Sequence, residues 1–258
     1  MRLPVSTTNK ITTIIVDTQN YTLGLNALKN STHKFPTKEV LVFSDQPEKW
    51  KGYDCKTINK IASIDQYNEI ILNDIVEHIK TEFALIIQYD GFVLNPQKFE
   101  PEFLDFDYIG APWELNNYRK VGNGGFSLRS KKLFEVSKRY ADTRPYNQAE
   151  DYFICREIAD LLEYRGKIKY APYSVAKKFS IEDVYLKSMR FESLPFGFHG
   201  LAILPFMYKN NLDYLLENLD PCVYKGGMRL KKLAHAFKML GDKELNRLKK
   251  FILDKRLV

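Results

Sequence analysis

The stretch "FALIIQYDGFVLNP", Phe83 to Pro96, decides the fold. Its first five residues are apolar without interruption, which is how a strand buried on both faces of a parallel sheet reads; a strand with one wet face alternates. The run then meets a carboxylate, Asp90, followed at once by Gly91. If Phe83 starts a central strand, Asp90 stands where the chain leaves the core. In open α/β sheets that is the edge where ligands bind, because the loops there diverge. The same Asp-Gly pair equally fits a tight turn closing a hairpin, and the segment alone leaves both readings open.

Working outward, strands and helices alternate. "ITTIIVDT" (Ile11 to Thr18) reads as a first strand and "YTLGLNALKNSTHKF" as a helix. "EVLVFSDQ" (Glu39 to Gln46) and "CKTINKI" (Cys55 to Ile61) read as further strands. "SIDQYNEIILNDIVEHIK" reads as one long helix with Ser63 as its N-cap. This order predicts an α/β fold, a three-layer sandwich with a mostly parallel central sheet and right-handed crossovers. Three of the strands end in acidic or hydroxyl groups, at Asp17-Thr18, Ser44-Asp45 and Asp90. Three carboxylates on one sheet edge favour a ligand crevice over simple turn propensity.

A chain of 258 residues can bury a sizeable core, and shares of 45% hydrophobic and 14% aromatic residues exclude a disordered chain. No apolar run approaches the roughly 18 residues needed to cross a bilayer, and the N-terminal stretch lacks the charged-then-apolar signal pattern. The expected location is therefore the cytoplasm. Cys55, Cys155 and Cys222 have neither disulfide-framework nor zinc spacing and read as thiols of a reducing compartment.

The net charge of +7 is uneven: residues 225–258 hold 11 Lys/Arg and 3 Asp/Glu, a balance of +8, against −1 for the rest. Within them Leu230, Leu233, Phe237 and Leu240, then Leu245, Leu248, Phe251 and Ile252, recur at helical spacing. Two amphipathic helices broken near Gly241-Asp242 are expected, giving a body over 1–224 and a basic helical segment over 225–258. Their apolar faces either dock on the body with the lysines as a solvated face, or the segment is drawn to an anionic surface, a partner protein or membrane phospholipid, the latter making the protein peripheral at the inner face of the membrane. Nucleic acid is not an expected partner, since the segment lacks interleaved aromatics and no nucleic-acid motif is present.

The second half carries the more unusual segments. "DYIGAPW" (Asp107 to Trp113) precedes "VGNGGFSLRSKKL" (Val121 to Leu133), where glycines around Asn123 let a backbone approach a ligand and Ser127 and Arg129 offer donors to phosphate or sugar oxygens. The spacing of a phosphate P-loop is absent. "NQAEDYFICREIADLLE" opens a helix with Glu150 and Asp151, residues that the helix dipole favours there whatever else they do. "FGFHGLAIL" holds His199 in an apolar setting.

Taken in order, "TEFALIIQYDGFVLNP", "FDYIGAPW", "VGNGGFSLRSKKL", "AEDYFICR", "KKFSIED" and "FGFHG" resemble a family of bacterial glycosyltransferase-like domains, and more distantly the GT-A nucleotide-sugar transferases. The resemblance covers roughly Ile11 to Gly200. It implies a GT-A-like fold and a hexosyltransferase-type enzyme of polysaccharide biosynthesis, taking a nucleotide-sugar donor and a glycan or lipid-linked acceptor. GT-A enzymes hold a divalent cation, Mn²⁺ or Mg²⁺, on an Asp-X-Asp motif; Asp90 matches its first position, but its third is Phe92. His199 matches a late histidine that many of these enzymes add to the metal. Thr18 and Asp45 stand where the fold contacts the nucleoside, and Asn123, Gly124 and Gly125 where it lines the donor. Trp113 and Ser127 would line the sugar or the acceptor. The acidic pair resembles the base of an inverting enzyme, with Asp151 as first choice and Glu150 as the alternative. Glu182 and Asp183 are weaker candidates. Two other classes fit the same crevice: a non-catalytic nucleotide-sugar or glycan-binding module, and a nucleotidyltransferase. The latter calls for a basic, glycine-rich loop after the first strand, which "VDTQNYTLG" lacks.

Overall fold

The computed structural model describes residues 5–113, 121–141, 148–182, 193–225 and 227–255. Helix α1 (Val5–Thr8) leads into β1 (Ile11–Val16), α2 (Tyr21–Lys34), β2 (Glu39–Ser44) and β3 (Asp54–Thr57). Helix α3 (Ile64–Glu69) precedes β4 (Phe83–Ile87), β5 (Tyr108–Ile109), β6 (Ser127–Ser130) and α4 (Lys131–Ala141). Then come α5 (Glu150–Tyr152), α6 (Ala159–Tyr164), α7 (Tyr173–Phe179) and the small parallel pair β7 (Ser180–Glu182) and β8 (Gly197–His199). Helices α8 (Leu204–Met207), α9 (Leu212–Asn218), α10 (Gly227–Leu240) and α11 (Asp242–Asp254) close the chain.

The main sheet has the order β3-β2-β1-β4-β6-β5, parallel from β3 through β4 and antiparallel where β6 joins β4 and β5. Strand β1 is central, with Ile14 opposite Leu41 on one side and Ile86 on the other. Both faces of its apolar run are covered, as the uninterrupted pattern requires. Ile11, Ile15, Leu85 and Ile87 pack against Leu28 of α2 and a cluster of phenylalanines. Ile14, Val16, Ala84 and Ile86 pack on the opposite face against Ile70, Ile71, Ile75 and Phe134. Helices on both faces of a mostly parallel sheet make the three-layer α/β sandwich that the strand pattern predicts.

Two expectations change in detail. The segment after Ser63 is not one regular helix: Ser63 Oγ does cap it, accepting from the Gln66 amide at 3.3 Å, but α3 widens to a π turn over Ile70–Asp74 and tightens to a 3-10 turn over Ile75–His78. Successive residues of an α-helix point about 100° apart, and Ile70, Ile71 and Leu72 are all buried here. The wider turn lets three consecutive apolar residues reach the interior. At the end of β4, the two readings of Asp90-Gly91 turn out to be compatible. β4 is a central parallel strand, and the chain then reverses at once through paired amide bonds between Gln88 and Gly91, at 2.8 and 3.0 Å.

The C-terminal helices break at Gly241, whose φ of 147° favours glycine. Leu233 and Phe237 of α10 and Leu248 of α11 are buried in one cluster with Phe92, Phe198, Leu215, Tyr224 and Leu23 of α2. The apolar stripes of the basic segment therefore pack on the body. Among the described residues no helix is long and apolar enough to cross a membrane.

Candidate functional site

Strand β1 leaves through α2 toward β2 on one side, while β4 lies on its other side. The chain ends of β1 and β4 thus part, and a crevice at this switch point follows from topology. A cleft of about 450 Å³ opens there. Its walls are Asp17, Thr18 and Asn20 after β1, Ala62, Ser63 and Tyr67 around the start of α3, Gln88 and Tyr89 after β4, and Cys222 and Arg229 from the C-terminal part.

Asp17 is buried, and its Oδ1 accepts from the backbone amides of Gln19 and Asn20 at 2.8 and 2.7 Å. Its Oδ2 is buried with no hydrogen-bond partner. Burial pushes this carboxyl up to about 6 against the pull of the two amides, and the charges of Asp90 and Asp45 add to the rise. Thr18 is held by its own Oγ1, which accepts from the Ile61 amide at 3.0 Å and ties the two walls together. Asp45 stands one residue behind the wall: the Tyr21 hydroxyl lies 2.9 Å from its Oδ1 and 2.8 Å from the Thr18 carbonyl.

Asp90 is buried in the turn after β4, with its Oδ1 3.6 Å from His199 Nε2. His199 Nε2 lies 3.1 Å from Gln88 Oε1, and the Gln88 amide donates to the Tyr67 hydroxyl at 2.7 Å. The other ring nitrogen, Nδ1, faces Glu182 Oε1 at 3.6 Å. Burial pushes Glu182 up, yet hydrogen bonds and charge from His199, with Asn123 and Trp113, outweigh it and hold the carboxyl below its ordinary range. Phe92, the third position after Asp90, packs edge-on against Phe198 at 4.7 Å in the apolar core. Among the described residues no three His, Cys, Asp or Glu side chains are grouped to hold a metal. Asp90 and His199 are the neighbouring pair whose donor types suit a divalent cation. Adjacent donors about 2.1 Å from a Mg²⁺-sized ion are about 3.0 Å apart, so the observed 3.6 Å would have to close by about 0.6 Å for both to bind one ion.

The glycine-rich loop is built around Asn123, which has φ 66° and accepts through Oδ1 from the amides of Gly125 and Phe126. Gly124 and Gly125 have no room for a side chain: a Cβ at the first would strike Glu150, and at the second His199 and Gln88. Behind the loop, Arg129 and Glu150 form a buried two-pronged ion pair, with N–O distances of 2.8 and 2.9 Å. Burial alone would pull the Arg129 guanidinium down, but the charge of Glu150 outweighs it and keeps it ionised. Arg129 also donates to the Gly124 carbonyl and, through Nε, to Ser127 Oγ. Ser127 in turn donates to that carbonyl at 3.0 Å.

Two expectations are corrected by this geometry. Ser127 and Arg129 are fully buried and hold the loop from behind, so neither lines an opening; Glu150 has both oxygens taken by Arg129. Asp151 differs. It is partly exposed, and its Oδ2 accepts from the Gly124 amide and its Oδ1 from the Tyr152 amide, both at 2.7 Å. Trp113 packs against Gly122, donates from Nε1 to Glu182 at 2.9 Å, and carries the Arg156 guanidinium 4.7 Å from its ring. Asp183 lies outside the described residues.

The structure thus joins Asp90, His199, Asn123, Gly124, Gly125, Asp151 and Trp113 through a chain of direct contacts, and Gln88 connects that group to the cleft holding Thr18. Asp45 stands apart by the width of Tyr21. Gln88, Tyr67 and Arg229 escape sequence reasoning. Gln88 sits inside the decisive stretch and was legible as the last residue before the turn; Tyr67 and Arg229 come from distant helices and carry no local signal.

The family described as Protein of unknown function (DUF5672) matches residues 52–199. No curated protein matches the sequence. Among solved structures the chain is similar to a glycosyltransferase involved in the glycosylation of the major capsid of PBCV-1, with TM-score 0.52 and 11% identity over 88% of this chain and 98% of that one. It is also similar to the apo-form glycosyltransferase GlyE of Streptococcus pneumoniae TIGR4, with TM-score 0.48 and 14% identity over 74% of this chain and 54% of that one. The mannosyltransferase PcManGT of Pyrobaculum calidifontis, solved with GDP-Man and Mn²⁺, gives TM-score 0.44 and 12% identity over 63% and 54%. The first likeness spans nearly all of both chains and establishes a shared fold.

Proposed function

The chain belongs to the DUF5672 family, and from its fold and cleft we propose that it is a glycosyltransferase that moves a sugar from a nucleotide-sugar donor to a hydroxyl of a glycan or lipid-linked acceptor. One observation supports the reading: Gln88 lines the crevice between β1 and β4 and its side chain bonds His199, which stands beside Asp90 and the glycine loop, so the cleft and that cluster share a wall. A nucleoside fits the first part, whose wall holds Asp17 and Thr18, with Asp45 behind it across Tyr21. The diphosphate then falls beside Asp90 and His199. These two residues would hold a Mn²⁺ or Mg²⁺ ion, which when bound supplies positive charge to the departing diphosphate.

The chain's own groups account for the rest. Gly124 and Gly125 keep the loop backbone flush, so the donor sugar can lie against it. Asp151 is anchored by two amides at the edge of that loop, leaving further lone pairs on its partly exposed carboxylate to take the acceptor's proton. Attack from that side on the anomeric carbon, opposite the departing diphosphate, inverts its configuration. Trp113, held by Glu182 and Arg156, is partly exposed and would meet an acceptor sugar with the part of its ring that Gly122 and Arg156 leave open. The exposed lysines Lys231, Lys238, Lys249 and Lys250 of α10 and α11 suit an anionic membrane surface carrying a lipid-linked acceptor. Co-sedimentation with anionic but not neutral vesicles at low salt is the corresponding measurement, and equal pelleting with both removes the membrane from the reading.

A panel of nucleotide sugars, screened for thermal stabilisation with and without Mn²⁺ or Mg²⁺, tests the donor, because a ligand that binds only the native state raises its apparent stability. Cys222 is exposed on the cleft wall and gives a second readout, since a bound donor should slow its reaction with a thiol reagent. Stabilisation by none of the panel overturns the reading. Stabilisation with neither transfer nor slow donor hydrolysis reduces the protein to a binding module.

A further inference from the structure

We propose that the C-terminal helix α10 completes the donor site, with Arg229 gripping the diphosphate of the nucleotide sugar; the inference rests on the donor reading above. The sign of the cleft is the starting point. Its wall contains the carboxylate of Asp17, and the charges of Asp90 and Asp45 bear on it. A diphosphate brought to such a place meets repulsion unless a cation faces it. Among the described lining residues Arg229 is the only cationic side chain. A guanidinium is always charged and presents parallel N–H groups that match two phosphate oxygens, which a lone lysine cannot do.

Position supports the same assignment. Arg229 lines the cleft together with Tyr89, the neighbour of Asp90, and its charge reaches the Tyr89 phenol. It therefore stands on the side where the diphosphate meets Asp90. The segment that carries it is fixed to the cleft floor rather than hanging beside it. The Asp220 amide donates to Asn20 Oδ1 at 3.0 Å, and Asn20 is itself a wall residue. Four residues on, the Tyr224 hydroxyl bonds the Leu216 carbonyl, and Leu233 and Phe237 anchor α10 in the core. Arg229 projects from the first turn of a helix whose other face is immobilised, so its backbone is already placed and only the exposed side chain remains to be ordered by the ligand. The basic segment, set apart in the sequence by its charge, thus has a role inside the site as well as on its surface.

The test compares the full chain with Arg229→Ala and Arg229→Lys, using UDP, GDP, ADP and CDP and their parent nucleosides as probes in calorimetric titrations. Arg229→Ala should weaken the preferred nucleoside diphosphate about 10- to 100-fold, the range of a lost charged hydrogen bond, and leave the nucleoside within about twofold; the latter figure is the scatter expected for surface substitutions. Arg229→Lys should recover part of the loss, and the salt dependence of diphosphate binding should flatten in the alanine variant. Equal affinity of wild type and Arg229→Ala for the diphosphate removes the clamp while leaving the donor site intact. Equal weakening of nucleoside and diphosphate assigns Arg229 to structure instead and also overturns the clamp. A wild-type chain that binds none of the diphosphates brings down the donor reading and the clamp together.

Discussion

Two buried carboxylates, Glu150 and Asp17, lie in the same molecule under opposite conditions. Glu150 faces a guanidinium with both oxygens engaged and sits in a box closed by Tyr108 and Phe134, which lie 5.3 and 5.9 Å from Arg129. Asp17 has two amides on one oxygen, nothing on the other, and other carboxylates as its electrostatic company. A buried charge is costly unless paired. Glu150 is paired and holds a loop in place; Asp17 burdens the fold at neutral pH and stands in a cleft.

The comparison breaks most easily at the ion pair. Glu150→Gln leaves Arg129 charged, buried and without its partner, and should lower unfolding stability by about 3–5 kcal/mol in denaturant titrations. The double change Arg129→Met with Glu150→Leu should return most of that loss, because it removes both charges. If Glu150→Gln is nearly silent, the pair is not what holds the glycine loop. The adjacent acid sharpens the contrast. Asp151→Asn can keep the amide contact to Gly124 through its carbonyl oxygen but loses the one to Tyr152, so stability should fall by about 1–3 kcal/mol with donor affinity little changed, while transfer should fall roughly 10²- to 10⁴-fold, the contribution of a general base. Near-normal turnover in that variant removes Asp151 from the chemistry.

Asp17→Asn should act in the opposite direction from Glu150→Gln. The carboxyl is raised from 3.8 to about 6 in the folded protein. Below pH 3.8 both states hold the proton and nothing is lost; between 3.8 and 6 the folded state holds it and the unfolded state does not, so stability falls as pH rises. Above pH 6 the deficit is complete, about 3 kcal/mol at 1.36 kcal/mol per unit. The asparagine variant should therefore be more stable than wild type at pH 7.5 by up to that amount, equal to it near pH 4, and weaker in nucleoside binding. A variant no more stable at pH 7.5 means that the folded carboxyl titrates normally.

The half of the fold built on β1, β2 and β4 was legible because its signal is local. An unbroken apolar run, a polar residue at its end and a serine before a helix each follow from a few neighbouring residues, and β1, β2, β4 and the Ser63 cap lie where that pattern puts them. The site was legible only in its inventory. Asp90, Asn123 and His199 are visible as residue types, but Glu150 and Arg129 are 21 residues apart and Gln88 and His199 are 111 apart. No pattern of period two or 3.6 reports such pairs, which is why Ser127, Arg129 and Glu150 read as exposed chemistry when they are internal supports. Phe92 shows the converse. It reads as a defect in a metal motif, and its position is taken by the core through Phe198.

The smallest expected effect bears most directly on Asp17. If its ionised carboxylate accepts a hydrogen bond from the nucleoside, donor affinity should follow its ionisation. With a carboxyl at about 6, ionisation is nearly complete at pH 7.5 and about one quarter at pH 5.5, so affinity should drop about fourfold, or about 0.8 kcal/mol. The ligand has to be a nucleotide sugar or a bare nucleoside, since the terminal phosphate of a nucleoside diphosphate itself titrates near 6 and would imitate the effect. Asp45 and Asp90 also bear on this carboxyl, so the control is Asp17→Asn, in which the pH dependence should vanish while that of wild type persists. Glu150→Gln should leave the slope unchanged, because Glu150 is held by Arg129 away from the cleft wall. A slope that survives in Asp17→Asn assigns the titration to another group and leaves Asp17 as a buried acid that no ligand completes.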